Sequence, residues 1–193
     1  MPSGGPSLAR DSGVIEAACT LLNQSQSTQI KQLCGVVCAS LIAMLLKNNE
    51  RKKLAIESGV IDALLNLLIT YPLDNISMSH IWAIFIFTYS SSNEIRLLLI
   101  SKNTFKALFR LFDHPNVFIV NRAVVSISNI LLAGIDTTLA SQPHPHFAYV
   151  QGCDGIQKLF ALFQKNLSQC SRNFCVICIC SLIRAKELPN EVK

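Results

Sequence analysis

Four cysteines near the C-terminal end have the spacing that comes closest to a chemical site. Cys175 and Cys178 are separated by two residues, with Cys180 just after them and Cys170 upstream. Thiolates at this spacing can share one zinc ion, but the chain has no second Cys-x-x-Cys pair to complete the site. The surrounding segment is apolar, and reduced cysteines pack as small hydrophobic side chains. We therefore interpret these cysteines as core residues and predict no metal site.

A pair of histidines, His144 and His146, stands near Cys153 in a segment with two prolines. Paired imidazoles can bind a metal ion or act as a general base. The segment has no helical period of apolar residues, so it indicates a solvated loop inserted between helices. His80 and His114 fall at a predicted helix start and at a turn, where we expect capping or surface residues.

The sequence lacks the motifs that mark common catalytic sites. It has no Gly-x-Ser-x-Gly elbow, no His-Glu-x-x-His zinc helix, no phosphate-binding loop and no Gly-x-Gly-x-x-Gly turn. The 12 carboxylates are scattered, so no acid and base pair stands out. We predict that the protein is not an enzyme and that it uses no cofactor and no small-molecule substrate.

The composition is that of a folded chain with an unusually large apolar fraction. Half of the residues are hydrophobic, 15% are charged, and the mean hydropathy is +0.38. These values exclude a disordered chain and indicate helices that are apolar on more than one face, which must be sandwiched between neighbours. The longest nearly uninterrupted apolar stretch, residues 35–46, is shorter than the roughly 18 residues of a membrane-spanning helix. We expect no contact with a membrane.

The N-terminal residues and the cysteines indicate a reducing compartment. Residues 1–7 are polar and lack the basic-then-apolar layout of a secretory signal, and we expect the eight cysteines to be free thiols. A cytoplasmic or nuclear location is therefore expected. The net charge is +5, but the 17 lysines and arginines are spread along the chain. The one cluster, Arg51-Lys52-Lys53, fits a solvated helix face, so we do not expect nucleic acid binding.

An internal repeat is the strongest signal in the sequence. The residues Ser-Gly-Val-Ile-Glu-Ala at 12–17 recur as Ser-Gly-Val-Ile-Asp-Ala at 58–63, and related copies cover 102–112 and 153–163. Gly13, Gly59, Asn103 and Asp154 hold the same place in the four copies, at intervals of 46, 44 and 51 residues. Stacked helical repeats have periods of roughly 40 to 47 residues, and the long last interval contains the predicted loop.

Each complete unit is predicted to hold three helices. Gly59 can adopt positive φ and turn the chain from a first helix into a second, and Pro72 separates the second from the third. Apolar residues recur at i, i+3, i+4 and i+7 on the second helices, which gives a buried stripe. The predicted helices are 49–58, 60–70 and 76–89, then 93–101, 104–112 and 116–133, then 146–151, 155–165 and 169–185. The predicted organisation is a flexible N-terminus (1–7), four units (8–47 with two helices, 48–90, 91–134 and 135–186), a loop insertion (134–147) and a C-terminal tail (187–193).

Three-helix units with this second-helix sequence resemble armadillo repeats over about residues 8 to 186. The resemblance implies an all-α, right-handed α-α superhelix of about four three-helix repeats, the first incomplete. Residues 121–134 are similar to the third-helix motif of importin-α, the adaptor that binds nuclear localisation signals. In that family a tryptophan and an asparagine four residues later line a concave groove. The asparagine holds the cargo backbone, and the tryptophan packs on basic side chains.

The importin-α pattern is only partly present in each unit. Asn129 matches the asparagine, but Val125 takes the place of the tryptophan. Trp82 matches the tryptophan of the preceding unit, but Ile86 takes the place of the asparagine. In the first unit both positions are alanines, and the fourth unit has only apolar residues there.

The concave face of the third helices is the predicted functional site. The candidate residues are Trp82, Tyr89, Asn121, Arg122 and Asn129, because tryptophan, tyrosine and arginine dominate interface energies and asparagine can pair with a peptide backbone. The alternative is that Trp82 belongs to the core. The predicted function is a protein interaction scaffold that binds a protein segment on this face. Two alternatives are an importin-α-like adaptor in nuclear import and a structural segment of a larger repeat protein that self-associates through uncapped ends.

Overall fold

The computed structural model describes residues 5–23, 28–139 and 141–184, and side-chain surroundings for residues 13–22, 34–139 and 141–184. The described residues are helical, with short 3-10 turns and no strand. The helices are α1 (Gly5–Asn23), α2 (Thr28–Leu45), α3 (Asn49–Glu57), α4 (Val60–Thr70), α5 (Met78–Thr88), α6 (Asn93–Ser101), α7 (Thr104–Arg110), α8 (Val117–Thr137), α9 (Phe147–Gln151), α10 (Gly155–Lys165) and α11 (Gln169–Ile183).

The helices form a solenoid in which each unit stacks on the next. The third helices α2, α5, α8 and α11 contact one another in that order, and the second helices α1, α4, α7 and α10 form a parallel row. Leucine, isoleucine and phenylalanine side chains fill one continuous core between the rows. Because each unit buries its apolar faces mainly against its neighbours, the fold is stabilised by stacking. The predicted all-α solenoid is confirmed.

The corner between the first and second helices explains the repeat signal. Gly59 has φ +84°, and Asn103 and Asp154, at the same place in the next units, have φ +59° and +56°. Glycine enters this left-handed region freely, and asparagine and aspartate enter it at lower cost than other residues. Gly13 behaves differently, because it lies inside the continuous helix α1. The first unit therefore has no corner at this position.

Several predicted boundaries need correction. α8 runs to Thr137, so the insertion predicted to start at residue 134 begins after this helix. α1 begins at Gly5, so residues 5–7 are helical rather than part of a flexible N-terminus. The third helix of the second unit is α5, which is shorter than the predicted 76–89. The predicted tail, residues 187–193, and residues 1–4 lie outside the described residues.

His144, which was predicted to lie in a solvated loop, is buried, and so is His114, which was expected to be a capping or surface residue. His144 donates a hydrogen bond from Nε2 to the Leu131 carbonyl at 3.1 Å, and its Nδ1 accepts one from the His146 N–H at 3.2 Å. Its ring lies so close to Gly134 that an added Cβ there would be 2.5 Å from it. Burial lowers the pKa of His144 to about 4. His114 makes the equivalent pair of bonds to the Ile76 carbonyl and from its own turn.

Of the two roles expected for His80, capping or surface, the structure shows capping by a buried ring. Its Nδ1 accepts a hydrogen bond from the Ser77 N–H at 2.9 Å at the start of α5. The prediction that Lys52 belongs to a solvated helix face is wrong. Lys52 is completely buried, and its Nζ donates to the Tyr89 carbonyl at 2.6 Å and to the Ser91 hydroxyl at 2.8 Å. These hydrogen bonds link α3 to the segment that follows α5.

One helix among the described residues, α8, is long and apolar enough to cross a membrane, with a mean hydropathy of 1.7 over its best window. The prediction from uninterrupted apolar stretches did not include α8, because polar residues such as Asn121 and Asn129 interrupt this helix. Of that window, 61% is buried inside the solenoid. α8 packs on α5, α6, α7 and α11. Its apolar residues are therefore explained by its central place in the core of the solenoid.

Candidate functional site

The third helices present one less-buried stripe, called here the third-helix face. On α8 the stripe recurs every three or four residues, with two adjacent members at its second position, and the residues between are mostly buried. This spacing places side chains on one side of a helix. Phe118, at the start of the stripe, is 71% exposed. The α8 members are Phe118, Asn121, Arg122, Val125 and Asn129.

Three aromatic rings on α5 and just after it form a shelf beside this stripe. Trp82 and Phe85 meet edge to face, with ring centroids 5.3 Å apart, and Phe85 and Tyr89 are 5.4 Å apart. Trp82 is partly exposed and Tyr89 is 41% exposed, while Phe85 is buried beneath them. The three residues, spaced i, i+3 and i+7, are called here the aromatic shelf.

Arg122 of α8 lies on the aromatic shelf. Its guanidinium carbon is 3.9 Å from the centroid of the Trp82 ring and 4.4 Å from that of Phe85. A cation over an aromatic face is attracted by the ring quadrupole, and arginine also stacks on such faces. The contact joins the second and third units at the surface. It places Trp82 partly in the repeat interface and partly on the open face.

Arg122 lies near the Cys170 thiol and is not held by an ion pair among the described residues. Partial burial lowers the pKa of the Arg122 guanidinium, which still keeps its proton at neutral pH. Within the part of the chain that the structure describes, no aspartate or glutamate pairs with it. A half-buried cation without a carboxylate is an uncommon arrangement, because desolvation of the charge is not offset by an ion pair.

The two asparagines are each held by one side chain of a neighbouring unit. Asn129 donates from Nδ2 to the Thr88 hydroxyl at 3.2 Å, and Asn121 accepts from the Ser168 hydroxyl at 2.7 Å. Each amide can make further hydrogen bonds, since a primary amide has two donor hydrogens and an acceptor oxygen. The side chains are therefore oriented by the fold and still have hydrogen-bonding groups for a ligand.

The structure brings four of the five predicted residues into one region. Trp82 and Tyr89 belong to the aromatic shelf and Arg122 lies on it. Asn129 is linked to the same region through Thr88, next to Tyr89 in sequence. Asn121 instead faces α11 through Ser168. The assignment of these residues as a binding site stays a prediction.

Sequence analysis missed two members of this region. Phe85 was not among the candidate residues, although its spacing from Trp82 and Tyr89 is that of one helix face. Phe118 lies one turn before Arg122 and is the most exposed large apolar side chain among the described residues. Its position in the stripe was readable from the sequence, but its exposure was not.

The cysteine cluster on α11 divides between the two sides of the helix. Cys175 and Cys178 are buried and Cys180 is exposed. Burial raises the pKa of the Cys175 thiol to about 12 and raises that of Cys178 as well, so both stay protonated as core side chains. Among the described residues, no group of three or more histidine, cysteine or acidic side chains is placed to hold a metal ion.

Comparisons with known proteins show the class of fold. No protein-family model matches the chain, and no curated protein matches it. Among solved structures it is similar to a designed armadillo repeat protein in complex with the peptide (KR)4, with 22% identity and a TM-score of 0.66 over 86% of this chain and 63% of that one. A second designed armadillo repeat protein has 18% identity and a TM-score of 0.55 over 92% of this chain and 84% of that one.

A third similar structure is an engineered protein with 17% identity and a TM-score of 0.68, over 91% of this chain and 66% of that one. The chain thus spans just under two thirds of the length of two of these three structures. The likenesses establish an armadillo-like repeat fold, as the repeat motif predicted. The resemblance of the third-helix motif to importin-α stays an expectation from the sequence.

Proposed function

We propose that the protein is a non-enzymatic scaffold that binds an extended segment of a partner protein along the third-helix face of α5 and α8. The observation that carries this proposal is the placement of Arg122 on the aromatic shelf, where the rings fix a charged side chain at the surface without an ion pair among the described residues. Rigid aromatic and arginine side chains of this kind supply most of the binding energy in protein interfaces.

The geometry suits an extended segment better than a compact surface. A partner backbone can hydrogen-bond to fixed side-chain amides such as that of Asn129, while its side chains contact the shelf and Phe118. Helical repeat arrays offer extended surfaces of this kind along their length. The peptide complex of one similar designed protein supports a peptide as the kind of partner. We place this function in the cytoplasm or the nucleus, because of the free thiols predicted from the sequence.

Selection from a random-peptide display library tests the proposal. The wild type and a Trp82→Ala, Asn129→Ala double variant would be compared, with folding checked by circular dichroism. A Leu97→Ala variant is the control, because Leu97 is an exposed apolar residue on α6, outside the third-helix face. We expect selected peptides to bind the wild type and the control equally and to bind the double variant at least about tenfold more weakly. Equal binding by all three proteins would contradict the proposal.

An apolar cavity between α1 and α2 favours a second candidate function, that of a structural segment. The cavity has a volume of about 390 Å³ and is lined almost entirely by apolar side chains, including Val14, Ala17 and Leu21. The residues in the same places on α4 are Val60, Ala63 and Leu67, which are 0%, 4% and 1% exposed because α1 packs against α4.

We propose that this cavity can receive the α10–α11 end of a second copy. That end exposes Val176 and Ile177, and the contact would continue the register of the internal unit interfaces. Sedimentation velocity at rising concentration tests this candidate function. A Val14→Glu variant should remain monomeric where the wild type associates. A wild type that stays monomeric at every concentration would contradict self-association.

A further inference from the structure

The third helices carry cations and almost no acids. The sequences of α2, α5 and α11 contain no aspartate or glutamate, and α8 contains only Asp136. Asp136 is already paired, because its Oδ2 is 3.0 Å from Nη1 of Arg96 on α6. The cations among the described side chains of these helices include Arg122 and Arg172. Among the side chains that the structure describes, the third helices therefore place the positive charge of Arg122 on the proposed surface without an unpaired acid to offset it.

Arg122 is the cation of this set that is built into the aromatic shelf. Stacking over two rings holds the guanidinium by its face, which leaves its N–H donors for other acceptors. No hydrogen bond from these donors to another side chain or carbonyl is formed within the described part of the chain. Arg172 differs, since it donates to the Asn166 amide oxygen at 3.2 Å and lies near the Phe163 ring.

The side chains around Arg122 define what a partner must bring. A carboxylate, the anionic group of protein side chains, matches a fixed guanidinium fork through two parallel hydrogen bonds. Phe118, one turn earlier on α8, and Tyr89 on the shelf offer exposed ring surface on either side. A fitting ligand has an acidic side chain with apolar or aromatic neighbours in its sequence.

A basic ligand does not fit the same surface. The designed armadillo protein described above is in complex with a peptide of alternating lysine and arginine. In the present chain such a peptide would meet Arg122 with like charge and would find no acid on the neighbouring third helices. Like charges across an interface select against a partner. The charge pattern thus opposes the recognition of a basic nuclear localisation signal.

We propose that the partner segment is acidic and that a carboxylate of the partner binds the guanidinium of Arg122, with an apolar side chain of the partner against Phe118. This inference rests on the proposed peptide-binding function. It adds the chemical class of the ligand, which the fold alone does not give.

The peptide selection described above also tests this inference when its products are sequenced. The enriched peptides would be synthesised with a fluorophore, and their affinities would be measured by fluorescence anisotropy at two salt concentrations. We expect them to share an aspartate or glutamate next to an apolar residue. An Arg122→Met variant keeps the bulk of the side chain and removes its charge, and it should bind about tenfold more weakly or worse.

The matched control is Lys106→Met, which removes the same charge from the exposed surface of α7, a second helix. This variant should bind the peptides as the wild type does. Enriched peptides that are basic or uncharged would overturn the acidic-ligand inference and leave the binding function standing. Acidic peptides that bind Arg122→Met and wild type equally would also overturn it. A selection that enriches no peptide would contradict the binding function itself.

Discussion

The first unit and the second unit share a repeat sequence but present different surfaces. In the first unit the position that corresponds to Trp82 is Ala39. The α1 residues at the places of the buried Val60, Ala63 and Leu67 of α4 are exposed or only partly buried. In the second unit α5 carries the aromatic shelf, and α4 is covered by α1. The buried stripe is therefore enough to specify the fold, while the exposed positions are free to differ. A binding face is set by those exposed positions.

Removing equivalent leucines from the two units gives the largest contrast. Leu67 on α4 is 1% exposed, and Leu21 occupies the same place on α1 but is only partly buried. We expect Leu67→Ala to lower the free energy of unfolding by about 2–5 kcal/mol, the usual cost of a core truncation. Leu21→Ala should cost about 1 kcal/mol, because part of its surface is already in contact with water. Urea denaturation would measure both values, and equal losses would show that α1 is as covered as α4.

Acid should destabilise the fold through His144, which packs against the C-terminal part of α8. Its folded-state pKa is about 4 against an ordinary value of 6.5, with burial as the main cause and His146 and Arg184 as nearby cations. The unfolded chain therefore takes up a proton below pH 6.5 before the folded chain does, and stability falls as the pH drops from 6.5 toward 4. A His144→Gln variant, which keeps a donor for the Leu131 carbonyl, should lose less stability over this window. Identical slopes of urea midpoint against pH would contradict the assignment.

Two glycines at the same repeat position should respond in opposite directions to alanine. Gly59 has φ +84°, so Gly59→Ala should cost about 1–2 kcal/mol of stability. Gly13 lies in the interior of α1, with nothing within 4 Å of an added Cβ, so Gly13→Ala should stabilise by about 0.5–1 kcal/mol. Thermal unfolding of the two variants checks the signs. Two losses of stability would show that the first unit keeps the same corner as the second.

The sequence was a good guide to the helices because their signals are local. The predicted helices 93–101 and 155–165 agree with α6 and α10, since caps, corner residues and apolar spacing mark their ends. The burial of Lys52 and His144 was not predictable in this way. Each depends on acceptors distant in the chain, such as the carbonyl of Tyr89 for Lys52.

The candidate site was predictable only in part. The side-chain types of Trp82 and Arg122 made them candidates for a binding site, but their stacking across two units depends on how far one unit shifts over the next. That shift is set by packing of the whole core and is not encoded in either segment alone. The sequence shows that α5 and α11 contain no acids. Only the structure shows that these helices flank α8, so that no acid from them lies beside Arg122.

Site-specific crosslinking tests the central claim most directly. A photo-reactive amino acid would replace Phe118, which is 71% exposed on the third-helix face, or Leu97, which is 46% exposed on α6. Each protein would be irradiated with a peptide obtained from the selection. A face-specific ligand should crosslink at position 118 and not at position 97, and unlabelled peptide should suppress the product. Equal crosslinking at both positions, or at position 97 alone, would show that the third-helix face does not bind the peptide.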